Sequence, residues 1–79
     1  VGKPVVVYSK YRCIQCDMTK RWLKDNDVSF MEYNVEDDYE ALMFVSQQGF
    51  MAAPVVFWGS DSWSGFQPDK LKQNFDAEN

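Results

Sequence analysis

The sequence predicts an α/β fold in the order β-α-β-α-β-β-α, with a mixed four-stranded sheet flanked by helices. Three observations predict it. An apolar run, Val5-Val6-Val7-Tyr8, feeds directly into a helical pattern. The only two cysteines, Cys13 and Cys16, stand at that strand-to-helix junction, spaced Cys-x-x-Cys. A further run, Val55-Val56-Phe57-Trp58, is opened by Pro54 and closed by the turn Gly59-Ser60-Asp61, which suits a hairpin.

Taken in order, residues 1–4 are a short lead-in. Residues 5–8 form a continuous apolar strand, as expected in a parallel sheet covered on both faces. Residues 9–12 make the turn. Residues 13–25 read as a helix with Cys16, Thr19 and Leu23 on one side and Ile14, Met18 and Trp22 roughly opposite. The first stripe is expected to cover the sheet, and the second to be half-exposed or to meet another helix. Asn26-Asp27 is a turn signal. Residues 28–35 alternate, with Phe30 and Glu32 on one face and Met31, Tyr33 and Val35 on the other, and predict the second strand.

Glu36-Asp37-Asp38 puts negative charge where a helix N-terminus favours it. The helix is expected over 38–48, with Leu42, Val45 and Ser46 inward. Gly49 fits just past its end, where a left-handed conformation costs glycine little. Residues 50–53 connect to a strand over 54–58. A short fourth strand over 62–64 completes the hairpin. Pro68 suits a first helical position. The last helix is expected over 69–75, with Leu71 and Phe75 on one face, and residues 77–79 are expected to fray. No repeat, low-complexity segment or linker divides the chain, so residues 1–79 read as one domain.

Composition narrows the function. Seventy-nine residues with 46% hydrophobic and 16% aromatic content suit one small globular core. The net charge of −4 argues against binding a nucleic-acid backbone. No apolar run of about 18 residues is present, so no membrane span is expected. No secretory leader is expected either. The chain has no histidine, which excludes histidine acid/base catalysis and Cys-His pairs. Two cysteines without histidine fall short of the four ligands of a structural zinc, so no metal is expected within one chain. Catalysis is left to thiol chemistry. At a helix N-terminus, unpaired N–H groups favour a thiolate at Cys13. Cys16, one turn further in, stands where it can attack a mixed disulfide. A CxxC near a βαβ pattern is a thioredoxin-like redox signal. Lys10, Arg12, Lys20, Arg21 and Lys24 surround it, as a solvated helix face and as a field that lowers a thiol pKa.

Three segments carry a resemblance to a known family. They are Cys13-Ile14-Gln15-Cys16 with Asp17 and Thr19 behind it, Ala53-Pro54-Val55-Val56, and Trp63-Ser64-Gly65-Phe66-Gln67-Pro68-Asp69-Lys70. With these, residues 5–71 resemble the NrdH-redoxins, small glutaredoxin-like proteins. The resemblance implies a thioredoxin/glutaredoxin fold and a dithiol electron donor, with Cys13 as nucleophile and Cys16 as resolving thiol. It implies electrons from NADPH through thioredoxin reductase, a class Ib ribonucleotide reductase as client, and so a part in deoxyribonucleotide synthesis. No bound cofactor is implied beyond the Cys13–Cys16 disulfide. A monomer in the cytoplasm is expected, in a bacterial cell or in the host of a virus that encodes it.

The resemblance also implies a cis Pro54 facing the dithiol, with the Ala53 backbone turned outward to pair with an extended partner strand. Ile14, Gln15, Ala53, Pro54, Trp63, Ser64, Gly65 and Phe66 are the candidate partner-binding residues, and Lys10 and Arg12 the candidate pKa-tuning ones. Trp63 can equally be core. Thr19 can bond the helix backbone or sit near the buried sulfur. Tyr11 stands where the family often has proline, and Met18 and Trp22 where it commonly has small residues; these departures bear on the identity of the partner. The alternatives are a glutathione-dependent glutaredoxin, which Gln15 and Ala53 do not favour, a metal- or cluster-bridging binding module, and a redox sensor.

Overall fold

In the computed structural model, residues 4–75 are described; the first three residues of the lead-in and the expected fraying at 77–79 lie outside them. The elements are β1 (Val5–Ser9), α1 (Ile14–Asp25), β2 (Met31–Asn34), α2 (Tyr39–Gln47), β3 (Val55–Trp58), β4 (Asp61–Ser64) and α3 (Pro68–Phe75). One sheet holds the strands in the order β2-β1-β3-β4. β1 pairs parallel with β2, from Val6 opposite Met31 to Ser9 opposite Asn34. It pairs antiparallel with β3, which continues antiparallel into β4. The expected fold class is the observed one.

Strand alternation divides the interior in two. Val5 and Val7 of β1, Val56 of β3 and Trp63 of β4 face α1 and α3, where they meet Leu23 and Leu71. Leu23 and Leu71 are fully buried, each worth roughly 1.5–3 kcal/mol in transfer from water. Tyr8, one register step over, points to the opposite face. Its ring lies 5.6 Å from Tyr33, 5.7 Å from Phe44 and 5.6 Å from Phe57. Phe44 brings α2 onto this aromatic layer. Helices therefore cover both faces of the sheet.

Local chemistry explains the element ends. α1 closes where the Asn26 N–H donates to the Trp22 carbonyl at 3.1 Å, and Asp27 then turns left-handed at φ 59°. The Val28 N–H donates to the Leu23 carbonyl at 2.8 Å, sending the chain back toward the sheet. Asp38 caps α2 by accepting the Ala41 N–H at 3.1 Å. Gly49 stands past its end at φ 92°, as anticipated.

Several expectations need correction. The second strand is expected over 28–35, but the strand is Met31–Asn34, with the Val35 N–H adding one bond to the Ser9 carbonyl at 2.9 Å. Val28 is drawn to the end of α1, and Phe30 packs on the core ahead of the ladder. The inner face of α2 is Ala41 and Val45; of the expected Leu42, Val45 and Ser46, Val45 alone is buried. Leu42 is 40% exposed and Ser46 is exposed, because α2 sits rotated so that small Ala41 approaches the sheet. Asp61 belongs to β4 and not to the turn, since it pairs with Trp58. Pro54 precedes β3 and Cys13 precedes α1. The two stripes of α1 behave as expected. Cys16, Thr19 and Leu23 are buried, Ile14 and Met18 are exposed, and Trp22 meets Phe75 of α3 with ring centroids 6.4 Å apart.

Candidate active site

The site begins where β1 ends. Ser9 is buried, and its hydroxyl donates to the Glu32 carboxylate at 2.6 Å. Lys20 of α1 reaches the same carboxylate at 2.8 Å, so the strand pair and the helix are tied beneath the turn. Burial pushes the Glu32 pKa up, but the hydrogen bonds from Lys20 and Ser9 outweigh it and leave the group below its ordinary value. Above the strand, the Tyr11 N–H donates to Glu36 Oε1 at 3.1 Å and the Tyr11 hydroxyl donates to Asp37. Chiefly through that hydroxyl bond, the Tyr11 pKa is raised. Arg12 then adopts a left-handed φ of 56°, turning the chain into α1.

Cys13 is the cap of that helix. Its backbone is extended, and its sulfur accepts the Cys16 N–H at 3.1 Å. Its carbonyl accepts the Asp17 N–H at 3.1 Å. The arrangement aims a helix-terminal donor at the Cys13 sulfur, which favours a thiolate there once the pair is reduced. Cys13 and Cys16 form a disulfide with Cα atoms 5.2 Å apart, inside the usual bridging range. Cys13 keeps 8% exposure and Cys16 has 0%. An incoming group therefore reaches Cys13 first.

Three segments surround the pair. The Ala53–Pro54 peptide is cis, as the resemblance implied, and the Ala53 carbonyl oxygen lies 3.9 Å from the Cys13 sulfur. Pro54 is buried, and its carbonyl accepts the Gly65 N–H at 2.7 Å. The Ser64 hydroxyl donates to the Ala52 carbonyl at 3.0 Å. Gln15, between the cysteines, accepts the Phe66 N–H on Oε1 at 2.9 Å, across 51 residues of sequence. Residues 52–54 and 64–66 thus form one bonded wall, and Gln15 fastens it to the dithiol turn.

The predicted site residues sort themselves accordingly. Cys13, Cys16, Gln15, Ala53, Pro54, Gly65 and Phe66 are brought together by these bonds, with Ser64 behind them. Ile14 projects at 77% exposure. Trp63 does not join the surface: it is 3% exposed and part of the core, because β4 alternates and its register with Val56 turns the indole inward. Gln15, expected to touch a partner, is engaged by the chain itself. Lys10 and Arg12 are exposed, with neither hydrogen bond nor ion pair to another described residue. The Thr19 hydroxyl does not bond the helix backbone: it is fully buried and has no hydrogen-bond partner, one turn after Cys16 on the same buried stripe. Glu36 and Asp37, which hold Tyr11, were not anticipated as site residues. Their acidic run read only as a helix start, and nothing local to it signals a contact with residue 11.

Among the described residues no cluster of three or more His, Cys, Asp or Glu is arranged to hold a metal ion. None of their helices is long and apolar enough to cross a membrane.

The glutaredoxin family model matches residues 5–63. The glutaredoxin-like protein NrdH of Lactococcus lactis subsp. cremoris is 42% identical over 67 residues, covering 85% of this chain and 93% of that protein. The chain belongs to the NrdH family of glutaredoxin-like proteins. NrdH of Escherichia coli strain K12 is 38% identical over 69 residues, covering 87% of this chain and 85% of its own. The structure of the Escherichia coli NrdH-redoxin superposes with a TM-score of 0.86 at 37% identity, over 89% of this chain and 92% of that one. Family and geometry agree on the chemistry. The NrdH-like pair Cys13–Cys16 is a redox-active disulfide, and the protein is a thiol–disulfide oxidoreductase.

Proposed function

We propose that the protein is a dithiol electron donor that reduces disulfides in other proteins. The observation that carries this reading is the asymmetry of the pair: Cys13 caps α1 and is the sulfur with residual exposure, while Cys16 has none. In the reduced protein, the Cys13 thiolate attacks one sulfur of the client disulfide. A Cys13–client bond forms, and the client's other sulfur leaves as a thiolate and takes a proton. The Cys16 thiol gives up its proton and attacks the Cys13 sulfur. The Cys13–Cys16 bond forms, and the second client thiol is released. Two electrons and two protons pass to the client.

The electrons are supplied by NADPH through a thioredoxin reductase, and the client is a class Ib ribonucleotide reductase, so the cycle sustains deoxyribonucleotide synthesis. The Escherichia coli relative is described as having a thioredoxin-like activity profile, which supports thioredoxin reductase over glutathione as the source. The protein works as a monomer in a reducing cytoplasm, where the pair rests as thiols. Ile14, exposed beside the cysteines, and the backbone of Ala53 meet the client, while Phe66 edges the same wall.

The test is a coupled NADPH assay with a protein disulfide substrate. One arm contains thioredoxin reductase, and the other contains glutathione with glutathione reductase. Turnover in the first arm alone, abolished by Cys13→Ser, is expected. Cys16→Ser is expected to trap a mixed disulfide with ribonucleotide reductase. Turnover only with glutathione would overturn the proposed reductant, and no turnover in either arm would overturn the reading of the protein as a reductant.

A further inference from the structure

We infer that the Thr19 hydroxyl is a reserved hydrogen-bond donor for the Cys16 sulfur, engaged in the dithiol form and idle in the disulfide form. Thr19 has no exposed surface, and its Oγ1 atom has no hydrogen-bond partner. That is unusual on two counts. A buried hydroxyl without a partner is destabilising and rare in folded proteins. A threonine inside a helix ordinarily bonds the carbonyl one turn back, and Thr19 does not. Among the described residues the other buried polar side-chain atom without a partner, Trp63 Nε1, lies on β4, whereas Thr19 shares α1 with Cys16.

The position of Thr19 supplies the explanation. It follows Cys16 by one turn on the same buried stripe of α1. Side chains so spaced are neighbours, about 5–6 Å apart at Cβ. In the disulfide form the Cys16 sulfur is committed to Cys13. Reduction adds two electrons and two protons, breaks that bond, and leaves a free sulfur at a site with 0% exposure. Water is excluded there, so the sulfur needs a partner from the protein, most of all when it ionises to attack the Cys13–client bond. Arg12 next to Cys13, Asp17 next to Cys16, and Lys20 beside Thr19 are the charged neighbours in sequence. Asp17 is exposed, and Lys20 is held by Glu32. The uncommitted donor within one turn is the Thr19 hydroxyl. Thr19 is thus a positioning residue for the resolving step. Its lack of a partner destabilises the oxidised form, and its bond stabilises the reduced one.

This inference rests on the dithiol reading of the site but not on the identity of the client, so its test uses the protein alone. Thr19→Val keeps the shape and removes the hydroxyl, and Thr19→Ser keeps the hydroxyl. Both are equilibrated with glutathione buffers, and both redox forms are melted. Thr19→Val is expected to shift the dithiol–disulfide equilibrium about tenfold toward the disulfide, a potential about 30 mV more negative. Its oxidised form is expected to melt higher than the wild type, while its reduced form gains nothing. Thr19→Ser is expected to restore the wild-type equilibrium. In single turnover with oxidised glutathione, Thr19→Val is expected to accumulate the Cys13–glutathione mixed disulfide. An unchanged equilibrium with equal melting shifts in both forms would overturn the inference, as would Thr19→Ser behaving like Thr19→Val. A wild-type pair that does not cycle with the buffer at all would instead overturn the dithiol reading.

Discussion

Replacing Gln15 with alanine tests whether the dithiol turn and the 64–66 wall are one mechanical unit. The bond from the Phe66 N–H to Gln15 Oε1 is 2.9 Å long and exposed. Its loss is expected to cost about 0.5–1.5 kcal/mol. For a domain of this size, each kcal/mol lowers the melting temperature by roughly 4–8 °C. Gly65 gives an independent handle on the same contact. It stands at φ 86°, and a Cβ there would meet Gln15 Oε1 at 3.2 Å. Gly65→Ala therefore carries a left-handed penalty of about 1–2 kcal/mol, and it also pushes Gln15 off the Phe66 amide. Once Gln15 is alanine, that second component is gone. The double variant is expected to fall short of the summed single costs by about 0.5–1.5 kcal/mol, the strength of the shared bond. The assay is denaturant unfolding of the oxidised protein for all four members of the cycle. Additivity to within about 0.3 kcal/mol would refute the coupling and leave Gln15 as a free surface residue.

Other perturbations probe other parts of the molecule. Leu71→Ala empties a fully buried position under α3, and a loss of about 2–5 kcal/mol in denaturant unfolding is expected. Asp38→Ala removes the α2 cap, and a loss of about 0.5–2 kcal/mol is expected, seen as faster amide exchange in the first turn of that helix. Glu32 has a folded pKa below its ordinary 4.5, so its contribution to stability is present above that value and is lost as the pH falls through the lower folded value. Melting curves from neutral to acidic pH are expected to show that part of the dependence disappear in Glu32→Gln. Asp37→Asn keeps an acceptor for Tyr11 but removes the charge, and ultraviolet titration is expected to show the raised Tyr11 pKa move back toward its ordinary 10.0.

The elements were legible because their signals are local. A β-branched run, a CxxC at the strand end, a proline before a second apolar run and a glycine past a helix each announce themselves within a few residues. The chemistry was legible for the same reason, since with no histidine and two cysteines only thiol chemistry remains. The cis Pro54 came from the resemblance, not from the residues alone.

What the local signals do not carry is which face meets what. Trp63 sits in a segment that reads equally as wall or core, and the pairing of Val56 with Trp63 sends it inward. Leu42 is larger than its neighbour Ala41, yet Ala41 is the buried one of the two, because the helix turns Ala41 and Val45 inward. Gln15 and Phe66 are 51 residues apart, as Tyr11 and Asp37 are 26 apart, and no spacing rule links them. Thr19 can by its spacing bond the helix backbone or sit near the buried sulfur, and only packing shows that its hydroxyl is buried without a partner in the disulfide form. The order of elements, the dithiol and the class of reaction follow from residue type and short-range periodicity. How the dithiol is held and what surrounds each sulfur depend on the closed sheet, since hydrogen bonds between distant segments, and burial itself, exist only once it has formed.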